Sequence, residues 1–313
     1  MCTAFSLPGD GLFCRTLDYE HSFGEQPVIT PRRFALSFLH LPVLRSHYAA
    51  VGMARVQEGY PLYFDGCNEK GLCAAGLNFT KSTVYGEAKE NALSLAQFEV
   101  TGWLLAACAT VAEAAERLRG AVITGERFRP DLPAARLHWL VADGKEALVL
   151  ESTDSGLQLH AAPTGILTNE PPYPRQLQNL SRYRALTPGE PENRAFPGLL
   201  LSPESRGEGA SGLPGDFSSP SRFVRAAFVT QNSRREADID PITHAFRLLH
   251  TVSVPGGSCR VGPDAWEITR YAAVMDARRG IYHCTGYGDL HPVTAALRKA
   301  DPDGSSLTAF PAL

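Results

Sequence analysis

The chain has no long apolar run and no marked excess of charge of either sign. No hydrophobic stretch approaches the roughly 20 residues that a transmembrane helix requires, so we expect no membrane span. Thirty lysine and arginine residues stand against 33 aspartate and glutamate residues, for a formal net charge of −3. Neither nucleic acid nor an anionic membrane is therefore expected as a partner. The first residues lack a basic segment followed by an apolar one, so we expect no signal peptide and a cytoplasmic location.

The cysteines are odd in number and form no Cys-x-x-Cys pair. This pattern gives no support for a disulfide framework or a structural zinc site, and we expect neither a metal nor a cofactor. Most of these residues are expected to be small and buried. The exception is the one directly behind the initiator methionine. The seven are Cys2, Cys14, Cys67, Cys73, Cys108, Cys259 and Cys284.

The turn and strand patterns predict an N-terminal hairpin followed by further strands. Residues 2–7 and 12–19 are apolar segments separated by Pro-Gly-Asp-Gly, which is typical of a tight turn. Residues 47–56 and 71–79 are predicted to be strands joined by a turn at 65–71. Later strands are predicted in the segments LHWLVADGKEALVLES, GLQLH, GILTN and YAAVMDARRGIYHCTGY.

Helices are predicted in two pairs between these strands. The first covers residues 91–109, and the next begins at Thr110, which forms a capping-box pattern with Glu113 and meets a stop at Gly120. The second pair corresponds to the segments SRFVRAAFVTQN and PITHAFRLLHTV. This order, without any repeat, predicts one α+β domain with antiparallel sheets and with the helices in separate layers. A four-layer sandwich fits it.

Cys2 has a special chemistry if Met1 is removed, because it then carries a thiol and a free α-amine on one residue. Such a residue can use its own amine as the base that activates the thiol. Arg15 and Asp18, three residues apart on the paired strand, are candidates to lower the thiol pKa and to orient the amine. Taken alone, Cys2 is better explained as an incidental small residue, and the two charges as surface groups, because one residue is a weak motif.

Several motifs in order decide between these interpretations. They are MCT, CRTLDYE, YPLYFDGCNEKGLCAAGLNF, LHWLVAD, GILTNEPPYPRQLQNL and GLPGDFSSPSRFVRAAF. Together they closely resemble the choloylglycine hydrolase family, which includes bile salt hydrolases and penicillin V acylases. The resemblance extends from residue 1 to about residue 290, and it implies the αββα sandwich of the N-terminal nucleophile hydrolases.

The resemblance also implies the catalytic residues and the reaction. The thiol attacks an amide carbonyl, the α-amine carries the proton, and water hydrolyses the resulting thioester. The Asn169 side chain and the backbone N–H of Asn78 are expected to hold the oxyanion, and Arg222, rather than Arg225, is expected to support the site. The implied catalytic set is Cys2, Arg15, Asp18, Asn78, Asn169 and Arg222.

Within the family, Asn78 in AGLNF and the LHWLVAD segment look like the bile salt hydrolases, whereas Thr16 in CRTLD leans slightly toward the penicillin V acylases. We therefore expect hydrolysis of bile acids conjugated to glycine or taurine. The alternatives are an acylase for penicillin V or another linear amide, and a silent binding protein that keeps Met1. The expected walls of the substrate pocket are Leu17, Tyr19, Phe64 and Phe128. Arg127 and Arg129 are candidates to attract the anionic end of the substrate.

Residues 180–215 form the least regular part of the chain. They are rich in Pro, Gly, Ser and Glu, which predicts a long loop rather than a linker between domains. We therefore expect one N-terminal nucleophile hydrolase domain over residues 2–313. The apolar segment AFPGLLL within the loop suggests burial against a partner. In the family the equivalent region reaches over a neighbouring subunit, which implies a homotetramer.

Overall fold

The structure, a computed structural model, describes residues 1–312. Strands dominate it. In chain order they are β1 (Cys2–Leu7), β2 (Leu12–Tyr19), β3 (Gln26–Thr30), β4 (Ala50–Gln57), β5 (Tyr60–Asn68), β6 (Cys73–Asn78), β7 (Ser94–Ala96), β8 (Val122–Thr124), β9 (Leu137–Ala142), β10 (Ala147–Thr153), β11 (Gly156–Ala161), β12 (Ile166–Leu167), β13 (Cys259–Arg260), β14 (Trp266–Asp276), β15 (Ile281–Gly286), β16 (Val293–Ala296) and β17 (Thr308–Ala309).

The helices are short and lie between the groups of strands. In chain order they are α1 (Val100–Ala107), α2 (Val111–Arg117), α3 (Tyr173–Leu180), α4 (Ser219–Asn232) and α5 (Pro241–His250). Within residues 1–312, no helix is both long and apolar enough to cross a membrane.

A seven-stranded antiparallel sheet carries the N-terminus. Its order is β12-β1-β2-β14-β15-β16, with β13 paired to β14. β1 and β2 form the predicted hairpin, whose turn contains Gly11 at φ +71°, a conformation that glycine adopts without strain. The register sets Cys2 opposite Leu17 and Ala4 opposite Arg15. Both strands are buried on both faces, because a second sheet covers one face and helices cover the other.

The second sheet has eight strands in the order β11-β10-β9-β6-β5-β4-β3-β17. The two sheets face each other, and α1 and α2 pack on the outer face of the eight-stranded sheet. α4 and α5 pack on the outer face of the seven-stranded sheet. The result is the expected four-layer αββα sandwich, with two antiparallel sheets between layers of helices.

Two predicted elements differ from the structure. Residues 60–68 form the complete strand β5, although residues 65–71 were predicted to be a turn. The strand is hard to recognise because it contains Pro61 and Gly66, both unfavourable in strands. The predicted helix at 91–109 is a short strand followed by α1, because Glu99 accepts hydrogen bonds from the backbone of Ala96 and of Leu39 and so ends the strand in a turn.

The N-terminal cap of α2 follows its sequence pattern. In α2, Thr110 accepts a hydrogen bond from the backbone N–H of Glu113 at 3.1 Å, as the capping box predicts. The Glu113 carboxylate accepts from the backbone of Ala109, and Gly120 lies beyond the helix at φ +75°. GILTN contains the short strand β12, which pairs with β1 in the seven-stranded sheet, whereas GLQLH lies in β11, which pairs with β10 in the other sheet. Residues 184–207 contain no helix or strand.

Candidate active site

Met1 is held at the edge of the N-terminal hairpin. Its ammonium group donates to the Asp18 carbonyl oxygen at 2.6 Å and to Glu267 Oε1 at 2.5 Å. The Asp18 N–H donates to the Met1 carbonyl oxygen at 2.9 Å. Removal of Met1 would therefore free the Asp18 backbone groups and Glu267. The new N-terminus would be the α-amine of Cys2.

Cys2 is buried among three groups that come from distant parts of the chain. Its backbone N–H donates to Asn169 Oδ1 at 2.9 Å, and its carbonyl oxygen accepts from Arg222 Nη1 at 2.5 Å. Arg15 Nη2 lies 3.6 Å from the Cys2 sulfur. The side chain and both backbone groups of Cys2 are thus positioned by three of the residues that the sequence predicts.

Arg15 is itself fixed by a fully buried polar cluster. Its Nη1 donates to Asp65 Oδ2 at 2.5 Å and to the Tyr271 hydroxyl at 2.8 Å. The Tyr271 hydroxyl donates to Asp65 Oδ2 at 2.6 Å, and the Tyr282 hydroxyl donates to Asp65 Oδ1 at 2.7 Å. Burial raises the pKa of both tyrosines well above the usual value, so their hydroxyls stay protonated and remain donors.

The charge of Arg15 is also secured by this cluster. Burial acts to lower the Arg15 pKa, but Tyr271, Asp65 and Cys2 raise it, and the net direction is upward. A permanently charged guanidinium therefore lies beside the Cys2 sulfur.

Asn169 links both sheets of the site. Its Oδ1 accepts from Cys2 and from Arg222 Nη2, the latter at 2.7 Å, and its Nδ2 donates to the Asn78 carbonyl oxygen at 2.8 Å. Ser219, the first residue of α4, accepts from the Asn169 backbone N–H at 2.8 Å. Arg222 lies one turn further along the same helix. α4 therefore carries two of the side chains that hold Asn169.

The Asn78 backbone faces away from β9. The next residue, Phe79, donates its N–H to the Arg136 carbonyl oxygen, whereas Leu137, opposite Asn78, donates to the Tyr85 hydroxyl. Because hydrogen-bonded and non-bonded pairs alternate in an antiparallel ladder, the Asn78 N–H and C=O both point to the side where Asn169 lies.

In the chain that carries Met1, Asp18 contacts the N-terminus through its backbone. Its carboxylate accepts from the Thr269 hydroxyl at 2.6 Å and from the Thr16 hydroxyl at 3.3 Å. The Cys2 N–H donates to Asn169 instead, so it is the backbone of Asp18, holding Met1, that contacts the N-terminus. Burial lowers the pKa of Arg222, and the nearby charge of Asp18 opposes that change.

A cavity of about 450 Å³ opens on Cys2 and Arg15. All four predicted pocket residues line it: Leu17, Tyr19, Phe64 and Phe128. The sequence did not point to Phe23, Gln97 and Phe98, which also line it. A second cavity of about 590 Å³, between Arg225 and Tyr287, contains neither Cys2 nor Arg15.

Apart from Arg15, the arginines that line the catalytic cavity are not the two that were expected to attract the anionic end of the substrate. Arg129 forms ion pairs with Glu58 and Asp131 on the surface, and Arg127 donates to a carbonyl oxygen of its own loop. Neither lines the cavity. Arg55 and Arg136 do, and neither forms an ion pair with any residue in the range 1–312.

Several site residues were missed by sequence reasoning. Asp65, Tyr271 and Tyr282 come from three strands of two sheets, and only the packing of those sheets brings them together. Asp65 alone carried a signal, because an acidic residue inside an apolar segment calls for a buried partner. His138 is buried, contacts Glu151 and stacks on Phe79, so it takes no part in the site.

Comparison with known proteins identifies the family. Residues 2–310 match the profile of the linear amide C–N hydrolases of the choloylglycine hydrolase family. The chain belongs to this family. It is therefore an enzyme of the linear amide hydrolase class, with a cysteine at position 2 as expected of an N-terminal nucleophile hydrolase.

Relatives of this family match along almost the whole chain. A bile salt hydrolase/transferase from Lactiplantibacillus plantarum is 38% identical over 99% of this chain and 97% of its own length. A conjugated bile acid hydrolase from Lactobacillus gasseri is 32% identical over 99% of this chain and all of its own length.

Solved structures agree with the fold. A conjugated bile acid hydrolase from Clostridium perfringens superposes with a TM-score of 0.91 at 30% identity, over 100% of this chain and 97% of that one. A penicillin V acylase from Agrobacterium tumefaciens superposes with a TM-score of 0.75 at 21% identity, over 99% and 91% of the two chains. The second match supports the shared fold alone.

Proposed function

We propose that this enzyme hydrolyses conjugated bile salts, breaking the amide bond between a bile acid and glycine or taurine. The observation that carries the proposal is the cavity at Cys2. It is walled by apolar side chains, and it also contains Arg55 and Arg136, which form no ion pair with the described residues. An apolar, anionic amide fits such a cavity, and the relatives named above act on bile salts or conjugated bile acids.

In the proposed reaction, removal of Met1 exposes the Cys2 amine, which takes the thiol proton. The sulfur attacks the amide carbon, and the carbonyl electron pair moves onto oxygen. Asn169 Nδ2, which has a second hydrogen beside the one given to Asn78, and the Asn78 N–H stabilise that oxygen. The amine then protonates the leaving nitrogen, and the C–N bond breaks to give a thioester.

Water attacks the thioester in the second half, with the amine as base, and Cys2 is restored. Arg15 keeps its positive charge 3.6 Å from the sulfur and positions it through that contact. Arg222 acts as a positioning residue, because it fixes both the Cys2 carbonyl and Asn169 Oδ1. Asp18 is proposed to hold the amine once Met1 has gone, since its backbone groups already bind the N-terminus.

The comparison that tests this function is hydrolysis of glycocholate and taurocholate against penicillin V by the purified enzyme. We expect kcat/KM to be larger for the bile salts. A larger value for penicillin V would overturn the bile salt assignment in favour of the acylase alternative. Hydrolysis of neither, in a chain that keeps Met1, would support a silent binding protein.

We further propose that the enzyme works in the cytoplasm as a homotetramer. All seven cysteines are free thiols, which a reducing compartment preserves. The loop at 180–215 exposes apolar side chains that a neighbouring subunit would cover.

A further inference from the structure

The catalytic cavity contains a buried polar side chain without a protein partner. Gln97 lines the cavity and is 3% exposed. Its Oε1 is buried and accepts no hydrogen bond from the described residues. Other buried side chains in residues 1–312 also have an unpartnered polar atom, but none of these lines the cavity: Tyr60, Glu126, Trp139 and Gln176.

Backbone hydrogen bonds fix the position of Gln97 at the cavity wall. Gln97 donates its N–H to the Thr124 carbonyl oxygen at 3.1 Å. The residue before it, Ala96, pairs with Thr124 in the parallel β7–β8 ladder and donates to Glu99 at 2.9 Å. An amide fixed in this position and left unpaired costs free energy, which a substrate group that pairs with it recovers.

The position of Gln97 indicates which part of a substrate reaches it. Cys2 lies on β1 of the seven-stranded sheet, whereas Gln97 lies between β7 and α1, and α1 packs on the outer face of the eight-stranded sheet. Phe98, the next residue in the chain, and Phe128, whose ring centroid lies 5.4 Å from that of Phe98, also line the cavity and are apolar. Gln97 thus brings a polar group to an apolar part of the cavity wall that does not belong to the sheet carrying the sulfur.

We propose that Gln97 binds a hydroxyl group on the acyl part of the amide substrate, and thereby selects hydroxylated acyl groups. A hydroxyl both donates and accepts, so it pairs with either end of a carboxamide. A bile acid carries hydroxyls on an otherwise apolar ring system. The proposal therefore deepens the proposed function and rests on it.

The test is a series of glycine conjugates that differ in hydroxylation: cholanic acid, which has no hydroxyl, and lithocholic, deoxycholic and cholic acids. We expect wild-type kcat/KM to be about 10- to 100-fold higher for at least one hydroxylated member than for the cholanic conjugate. Gln97→Met is expected to lower kcat/KM for that member. The ratio of kcat/KM for the hydroxylated conjugate to kcat/KM for the cholanic conjugate should then be close to one. It should not lower the melting temperature, because it removes an unpaired buried amide.

Tyr60→Phe is the matched control, because it removes another unpartnered buried oxygen that lies outside the cavity lining. This variant should keep the wild-type ratio. A wild-type enzyme that does not distinguish the conjugates, a Gln97→Met ratio equal to wild type, or the same loss in Tyr60→Phe would each overturn the role of Gln97.

These outcomes are separate from a failure of the proposed function. If the enzyme cleaves penicillin V and no bile salt, the bile salt assignment fails. The role of Gln97 is then decided by kcat/KM for penicillin V against its p-hydroxyphenoxy analogue, with the same two variants. Cleavage of neither class overturns both proposals.

Discussion

The residue with the most consequence for its neighbours is Asp65. One carboxylate accepts hydrogen bonds from Arg15, Tyr271 and Tyr282, and all four side chains are buried. Removing one partner of such a cluster is more damaging than never having built it, because a charge is then left buried without compensation. The effect should reach the sulfur of Cys2 through Arg15.

Asp65→Asn is therefore expected to lower the free energy of unfolding by about 3–5 kcal/mol, as for other broken buried ion pairs. The substitution should also lower kcat, because Arg15 loses the hydrogen bond that holds its guanidinium group beside the Cys2 sulfur. Urea denaturation and the rate of glycocholate hydrolysis measure the two effects. Tyr282→Phe, which removes one hydroxyl but no charge, should be milder in both. An Asp65→Asn enzyme with wild-type stability would contradict the importance given to this cluster.

At this scale the sequence was informative about some residues and silent about others. Cys2, Arg15 and Asn169 were predicted from motifs, and the structure brings them within hydrogen-bond or near-contact distance. Tyr271 and Tyr282 carry no such signal, because tyrosines in buried strands are ordinary. Their role depends on how two sheets face each other, which no local pattern encodes.

At the scale of elements, the predictions held where local chemistry decides the structure. The hairpin of β1 and β2, the cap of α2 and the helices α4 and α5 depend on turn residues, capping groups and periodicity. β5 and β7 were missed because tertiary contacts decide them. In β5 the chain continues as a strand through Gly66 because β4 and β6 pair with it on both sides.

Thr110→Ala tests the cap of α2. The loss of the hydrogen bond to the Glu113 N–H is expected to lower the free energy of unfolding by about 1 kcal/mol. Activity should be unchanged, because α2 packs on the far side of the eight-stranded sheet from Cys2. The denaturation midpoint in urea measures the change, with Thr110→Ser as the control that keeps the cap. Equal midpoints for the two variants would show that the cap contributes nothing.

In the molecule as a whole, the loop at 180–215 is the segment that gathers four exposed apolar side chains within six residues. Phe196, Leu199 and Leu201 are each more than half exposed, and Leu200 is 98% exposed. Apolar groups gathered in one segment in this way are typical of a surface that another protein covers. The single domain over residues 2–313 and the tetramer remain predictions.

We expect light scattering of the purified enzyme to give about four times the mass of one 33.9 kDa chain. Deletion of residues 195–205 should reduce that mass, because it removes the exposed apolar segment. Replacing Leu200 by Ser is a gentler variant that should weaken the assembly in the same direction. A monomer, or an assembly unaffected by the deletion, would contradict the proposed role of the loop.

We expect Cys2, once freed from Met1, to become acylated during turnover. Mass spectrometry can show this on the enzyme alone and on the enzyme quenched with acid during its first turnover on glycocholate. The enzyme should lack Met1 and should gain the mass of the cholyl group on its N-terminal peptide, and Cys2→Ala should show no such gain. Full activity in a chain that keeps Met1, or hydrolysis by Cys2→Ala at the wild-type rate, would contradict it.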